Sequence, residues 1–180
     1  MRAVRFWSEK PRPVATEPFV FFSYGMTKCG STLAFQLARV ALLQAGLEQP
    51  VLPLGDYGEK RKINAVTEIT PAKARMIMGA VRELGHPLVL KTHRRPDPKV
   101  VKMIQRGNAR AHAVFRDPRD MALSMIDHGN RARERGKPGF SEIVTLDDAR
   151  NGIRNQLDSL TAWLQLPGVR RLQYETLAFD

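Results

Sequence analysis

The run Phe19-Val20-Phe21-Phe22 is short, apolar and β-favouring, and Tyr24-Gly25 ends it. It opens directly into the turn Met26-Thr27-Lys28-Cys29-Gly30, and from Ser31 to Ala45 polar residues are sparse. That second stretch predicts a mostly buried helix, with Gly46 placed to cap it. Strand, glycine-bearing turn and buried helix in immediate succession are the start of a βαβ unit, and the rest of the chain repeats the alternation. Thr70-Pro71 is an N-cap and first-turn pair for a helix running to Gly85. Pro87-Leu88-Val89-Leu90-Lys91-Thr92 reads as a buried strand. Asp97-Pro98 opens a short helix stopped near Gly107, and Ala111-His112-Ala113-Val114-Phe115 is the next strand. Asp117-Pro118 starts a helix expected to end at Gly129, followed by a basic, glycine-containing loop over about residues 129–140. A longer helix is expected from near Leu146 to Leu166, and Val169 to Tyr174 as a final strand. Strands separated by helices predict an α/β fold: three layers, α/β/α, around a mostly parallel central sheet. Ligands in such sheets sit at the C-terminal strand ends.

The chain has 180 residues, enough for one domain with a real core, and shows no internal repeat or low-complexity tract. Its one cysteine, Cys29, excludes an internal disulfide framework and a cysteine-built metal site. No apolar run approaches the roughly 20 residues that cross a bilayer. The basic start, Met1-Arg2-Ala3-Val4-Arg5, meets Lys10, Pro11 and Arg12 before any long apolar stretch, so it does not read as a secretory signal and a cytoplasmic location is expected. The net charge of +11 points to an anionic partner: nucleic acid, an anionic membrane surface or a polyphosphorylated ligand.

Three segments bear on the choice, each beginning at a strand end. The turn from Tyr24 to Thr32 offers unpaired backbone N–H groups and the positive end of a helix dipole, which together hold a phosphate. Ser31 and Thr32 add hydroxyls. A nucleotide-kinase loop would need lysine after Gly30, but serine stands at 31 and the lysine is Lys28, inside the loop. The plain alternative is an ordinary turn with Ser31 capping the helix. In the second segment, Lys91-Thr92-His93, His93 could take a proton from an attacking hydroxyl. Alternatively it is a surface or capping histidine at a strand end, the reading given to His86, His112 and His128. In the third, Arg116-Asp117-Pro118-Arg119-Asp120 precedes Ser124, eight residues beyond Arg116. An arginine fork and a hydroxyl there could grip one phosphate, or the segment is an Asp-Pro helix start with solvated arginines.

Together these segments resemble the cytosolic-type sulfotransferase family, with the order of motifs matching over roughly residues 19–178. Thr27-Lys28-Cys29-Gly30-Ser31-Thr32 resembles its PKSGTT loop, Lys91-Thr92-His93 its KTH motif, and Val114 to Asp120 with Ser124 its RNPxDxxxS motif. Tyr174-Glu175-Thr176-Leu177 resembles its YEDL-type segment. The resemblance implies a P-loop nucleoside-triphosphate-hydrolase-like fold and transfer of a sulfuryl group from 3′-phosphoadenosine 5′-phosphosulfate (PAPS) to a hydroxyl or amine. The product would be adenosine 3′,5′-bisphosphate (PAP). It implies Lys28 on the bridging oxygen of the leaving group with Lys91 close by, and Thr27, Cys29, Gly30, Ser31 and Thr32 along the 5′ end. It further implies Arg116 and Ser124 on the 3′-phosphate, Tyr174 at the adenine, and His93 as the base. No metal is implied, because lysine and arginine supply the positive charge.

Departures are Leu33, where many members have a tryptophan stacking on adenine, and the small-residue changes Cys29 and Ser31. The family continues past the position of Asp180 with helices and a basic glycine loop, so a single sulfotransferase-like domain, C-terminally short, is expected over residues 1–180. The acceptor is expected to be a small molecule or glycan. Arg131, Arg133, Arg135 and Lys137 either border its site or form a solvated loop. Competing classes are a kinase-like phosphotransferase using ATP and magnesium, a nucleic-acid-binding domain, and a catalytically dead nucleotide binder. The first lacks the lysine after Gly30, and the second lacks a zinc-finger or RNP-type signature. No nucleic acid or membrane partner is expected.

Overall fold

A computed structural model describes residues 17–55 and 62–179. The basic start of the chain lies outside the described residues. Four strands form one all-parallel sheet: β1 (Val20–Gly25), β2 (Leu88–Thr92), β3 (Ala109–Phe115) and β4 (Arg170–Gln173), in spatial order β2-β1-β3-β4. Six helices are described: α1 (Ser31–Gln44), α2 (Pro71–Leu84), α3 (Pro98–Gln105), α4 (Pro118–Glu134), α5 (Leu146–Leu164) and α6 (Tyr174–Phe179). The fold is α/β, a parallel sheet flanked by helices, as the alternation predicts. Among the described residues no helix is long and apolar enough to cross a membrane.

The chain leaves β1 toward β2 on one side and leaves β3 toward β4 on the other. The crevice where such directions diverge lies at the C-terminal ends of β1 and β3. The register is fixed by pairing Val20 with Leu88 and with Ala109. Val20, Phe22 and Tyr24 therefore share one face, where they pack with Leu88, Leu90, Ala111 and Ala113 against Ile77, Val81, Ile104 and Trp163. On the opposite face one register row is polar: Lys91, Ser23 and His112 lie side by side on three strands, all buried. Residues 64–66 extend the sheet beyond β2, with Ala65 bridged to Lys91 in parallel, Lys91 N–H bonded to Asn64 O and Val66 N–H to Lys91 O.

The capping signals hold. Thr70 accepts from Lys73 N–H, Asp97 from Lys99 and Val100 N–H, and Asp117 from Arg119 N–H. Helix α5 opens on a reciprocal capping box between Thr145 and Asp148.

Two expectations are corrected. Helix α1 is not mostly buried: it packs through Ser31, Ala34 and Phe35, while Leu33, Leu37, Val40 and Leu43 are each 38% to 45% exposed. Their spacing puts them on the outer stripe, so a scarcity of polar residues marks composition here and not burial. Gly129 does not end a helix either, because α4 runs on to Glu134 and carries Arg131 and Arg133 in its last turn. Gly129 is there for close approach: a Cβ would lie 2.5 Å from Phe140 O and 2.6 Å from Ile143 O. The basic stretch is thus half helix, and Arg133 is occupied by the carbonyls of Ser141 and Ile143.

Candidate functional site

A cavity of about 550 Å³ opens at the C-terminal ends of β1, β2 and β3. From the turn after β1 it is lined by Thr27, Lys28, Gly30, Ser31 and Thr32. From the end of β2 come Lys91, Thr92, His93 and Arg94, and from the β3 side Arg116, Ser124 and Tyr174. Of the residues given a donor-binding or catalytic role by the resemblance, all line this cavity except Cys29, whereas Arg131, Arg133, Arg135 and Lys137 do not. The Cys29 side chain is fully buried, with its thiol donating to Val114 O, and burial pushes the thiol pKa up to about 12. Only its main chain is left for a ligand.

The turn is shaped for an anion. Lys28 (φ 63°) and Gly30 (φ 83°) both take the left-handed conformation, which turns successive N–H groups toward one side. Gly30 is required twice over, since a Cβ there would lie 2.1 Å from the Tyr174 ring. Helix α1 starts without a side-chain cap and without an acidic residue in its first turn, so Ser31 is not the cap that the plain turn reading requires. The exposed end of the helix dipole faces the cavity, a setting that favours negative charge. Thr27 is the exception among the loop donors: its N–H and hydroxyl both go to Gln156 Oε1, at 2.6 and 2.8 Å.

Lys91 is only 3% exposed, and its ammonium donates to Thr32 Oγ1 at 2.7 Å, joining β2 to the turn. His93 Nδ1 lies 2.7 Å from Gly25 O. A carbonyl can only accept, so Nδ1 carries the proton and Nε2 keeps a lone pair for a substrate. Burial, and behind it the Lys91 charge, holds the His93 pKa below its ordinary value despite the Gly25 bond, so the ring is neutral near pH 7. Behind it, Arg94 N–H bonds Thr92 Oγ1 and Trp163 Nε1–H bonds Arg94 O at 2.9 Å, which fixes the chain as it leaves the sheet.

On the other wall, Arg116 pairs with Asp120 at 3.0 Å and lies over the Tyr174 ring at 4.6 Å. Its Nε–H is buried with no acceptor among the described residues. Glu175 accepts from Asp117 N–H and so ties α6 to the turn after β3. Lys28 Nζ donates to His128 Nδ1 at 3.4 Å. Partial burial first, then the charge of Arg131, lowers the Lys28 pKa. His128 is thus no bystander: four residues after Ser124, one helical turn on, it contacts Lys28 from behind the cavity lining. Gln156 and Trp163 are missing from the sequence reading, and Glu175 enters it only as part of the Tyr174 segment, with no role. Each acts through a bond to a residue far away in the chain, which leaves no local pattern. His112, by contrast, is a satisfied core histidine, 2.7 Å from Ser23 Oγ.

No family model matches the sequence, and no curated protein matches it. Among solved structures, retinol dehydratase in complex with androsterone and inactive cofactor PAP superposes with a TM-score of 0.46 at 16% identity, over 91% of this chain and 56% of that one. The sulfotransferase domain from the curacin biosynthetic pathway superposes with a TM-score of 0.36 at 17% identity, over 91% of this chain and 69% of that one. The chain thus spans a little over half the length of the retinol dehydratase chain.

Proposed function

We propose that the chain binds PAPS and that its site is built to transfer the sulfuryl group to a hydroxyl or amine. One observation carries the reading: a single cavity gathers Lys28, Lys91, Arg94 and Arg116 with the open N-terminus of α1 and a neutral histidine, and among the described residues no carboxylate lines it. Such a donor set suits a polyanion. It offers hydroxyls but, among the described residues, not the carboxylate that magnesium-dependent phosphoryl transfer also uses.

In the step proposed, the acceptor O–H loses its proton to His93 Nε2 as the oxygen bonds to sulfur. The bond from sulfur to the bridging phosphate oxygen breaks, and its electron pair stays on that oxygen. Lys28 and the N–H groups of the turn stabilise the growing negative charge, and being placed beforehand they need no reorganisation. Arg116, its Nε–H lacking an acceptor, and Ser124 are the pair for the 3′-phosphate. Tyr174, packed on Gly30 and under Arg116, borders the site for the purine.

Calorimetric titration with adenosine 3′,5′-bisphosphate, beside ATP with magnesium, tests the donor site. The expected outcome is selective binding of the bisphosphate, weakened in Arg116→Ala for that nucleotide but not for adenosine 5′-phosphate. A preference for ATP with magnesium would replace this reading with the kinase-like one.

A further inference from the structure

The donor assignment uses the residues after β1 and β3 and leaves one cation of the cavity unexplained. Arg94 lies at the β2 end, next in the chain to the proposed base, where the neighbouring wall comes from Ala65, Val66 and Thr67. Its main chain is held from both sides, by Thr92 and by the buried Trp163, so its side chain leaves from a fixed point. The other arginines around the site are engaged: Arg116 with Asp120, Arg131 with Asp127, and Arg133 with main-chain carbonyls. Arg94 has no carboxylate partner among the described residues. An exposed arginine on a pinned backbone, lining the cavity beside the proposed base, is suited to receive a planar oxyanion.

We infer that the acceptor is itself an anion, a hydroxyl compound carrying a carboxylate or similar oxyanion, with Arg94 as the residue that selects it. This rests on the proposed donor site and adds the substrate class. The same wall supplies Ala65 and Val66 for an apolar body beside the charge. Charged acceptors would then bind with their hydroxyl at His93 Nε2 and their anionic group at Arg94, at the β2 edge and away from the cations that hold the donor.

The test uses the chain saturated with adenosine 3′,5′-bisphosphate, so that Lys28 and Arg116 are occupied. Calorimetry compares two pairs that differ by one charge: 4-hydroxyphenylacetate with 4-hydroxyphenylacetamide, and methyl glucuronoside with its uronamide. The anionic member of at least one pair should bind about tenfold or more tightly, as a charge-assisted fork implies. Which pair responds tells a phenolic from a sugar acceptor. Arg94→Ala should erase the difference and Arg94→Lys should keep part of it. If the bisphosphate binds but neither anion outbinds its amide, or if Arg94→Ala retains the preference, the inference is wrong and the donor reading stands. If the bisphosphate itself fails to bind, the donor reading falls and this inference falls with it.

Discussion

The same strands present two faces that follow different rules. On one, Phe22, Tyr24, Leu90 and Ala113 meet Ile77, Val81 and Trp163, with Trp163 stacked on Tyr24 at 5.3 Å between ring centres. On the other, Lys91, Ser23 and His112 form a buried polar row, and Lys91 reaches across to Thr32. The first face removes apolar surface from water and holds the fold together. The second takes polar groups out of water, which costs free energy unless each finds a partner. A sheet this small carries such a row because its end, at Lys91 and His93, opens into the cavity. One face is largely apolar, while the other carries a polar row whose Lys91 end reaches the cavity.

The sharpest way to break that division is at the chemical end. His93→Ala and Lys28→Ala should each lower transfer by about a thousandfold, the scale of a lost general base or oxyanion donor. His93→Ala should still bind adenosine 3′,5′-bisphosphate. In the wild type the acid limb of kcat/KM should have its midpoint below 6.5, because burial lowers the His93 pKa and the base works only when neutral. A midpoint at or above that value would remove His93 from the role.

On the apolar face, Trp163→Ala should cost about 3–5 kcal/mol of stability by urea unfolding, as large-to-small changes at buried aromatics do. It would also free Arg94 O. Lys91→Met separates the two rules within one residue. Transfer should fall by about a hundredfold or more, yet the melting temperature should not drop, since an apolar side chain of similar length avoids the cost of a buried charge. A clear fall in melting temperature would mean the polar row contributes to stability after all.

His112 gives a smaller, pH-dependent signal. Burial lowers its pKa to about 4, so below the ordinary 6.5 the unfolded chain binds a proton that the native one refuses. Stability should therefore decline as pH falls from about 6.5 to about 4 and level off below. His112→Asn should flatten that slope. Smallest of all, Arg119→Ala breaks only the exposed pair with Asp117 and should leave the melting temperature unchanged within error.

The sequence shows the strands and caps because each is a local device. An Asx- or Thr-Pro pair fixes a helix start whatever surrounds it, and Thr70, Asp97 and Asp117 all do so. It shows the cavity residues because three short segments each follow a strand, and parallel strands bring their ends together. Burial of α1 was not legible, since an apolar stripe looks alike whether it faces a sheet or not. Gly129 was misread because a glycine needed for close approach and a glycine that stops a helix are the same letter. Gln156 and Trp163 are fixed by partners 129 and 69 residues away, beyond any local spacing.

Strand β1 has a kinetic consequence. It precedes in the chain both of its neighbours, pairing Val20 with Leu88 and again with Ala109. The turn that follows it cannot be framed until β3 has been synthesised and has come back to lie alongside. Closing loops of that length carries an entropic cost that only later contacts recover, so the site is expected among the last parts of the molecule to order. During translation, the cavity would lack its β3 wall until the strand that ends at Phe115 has cleared the ribosome.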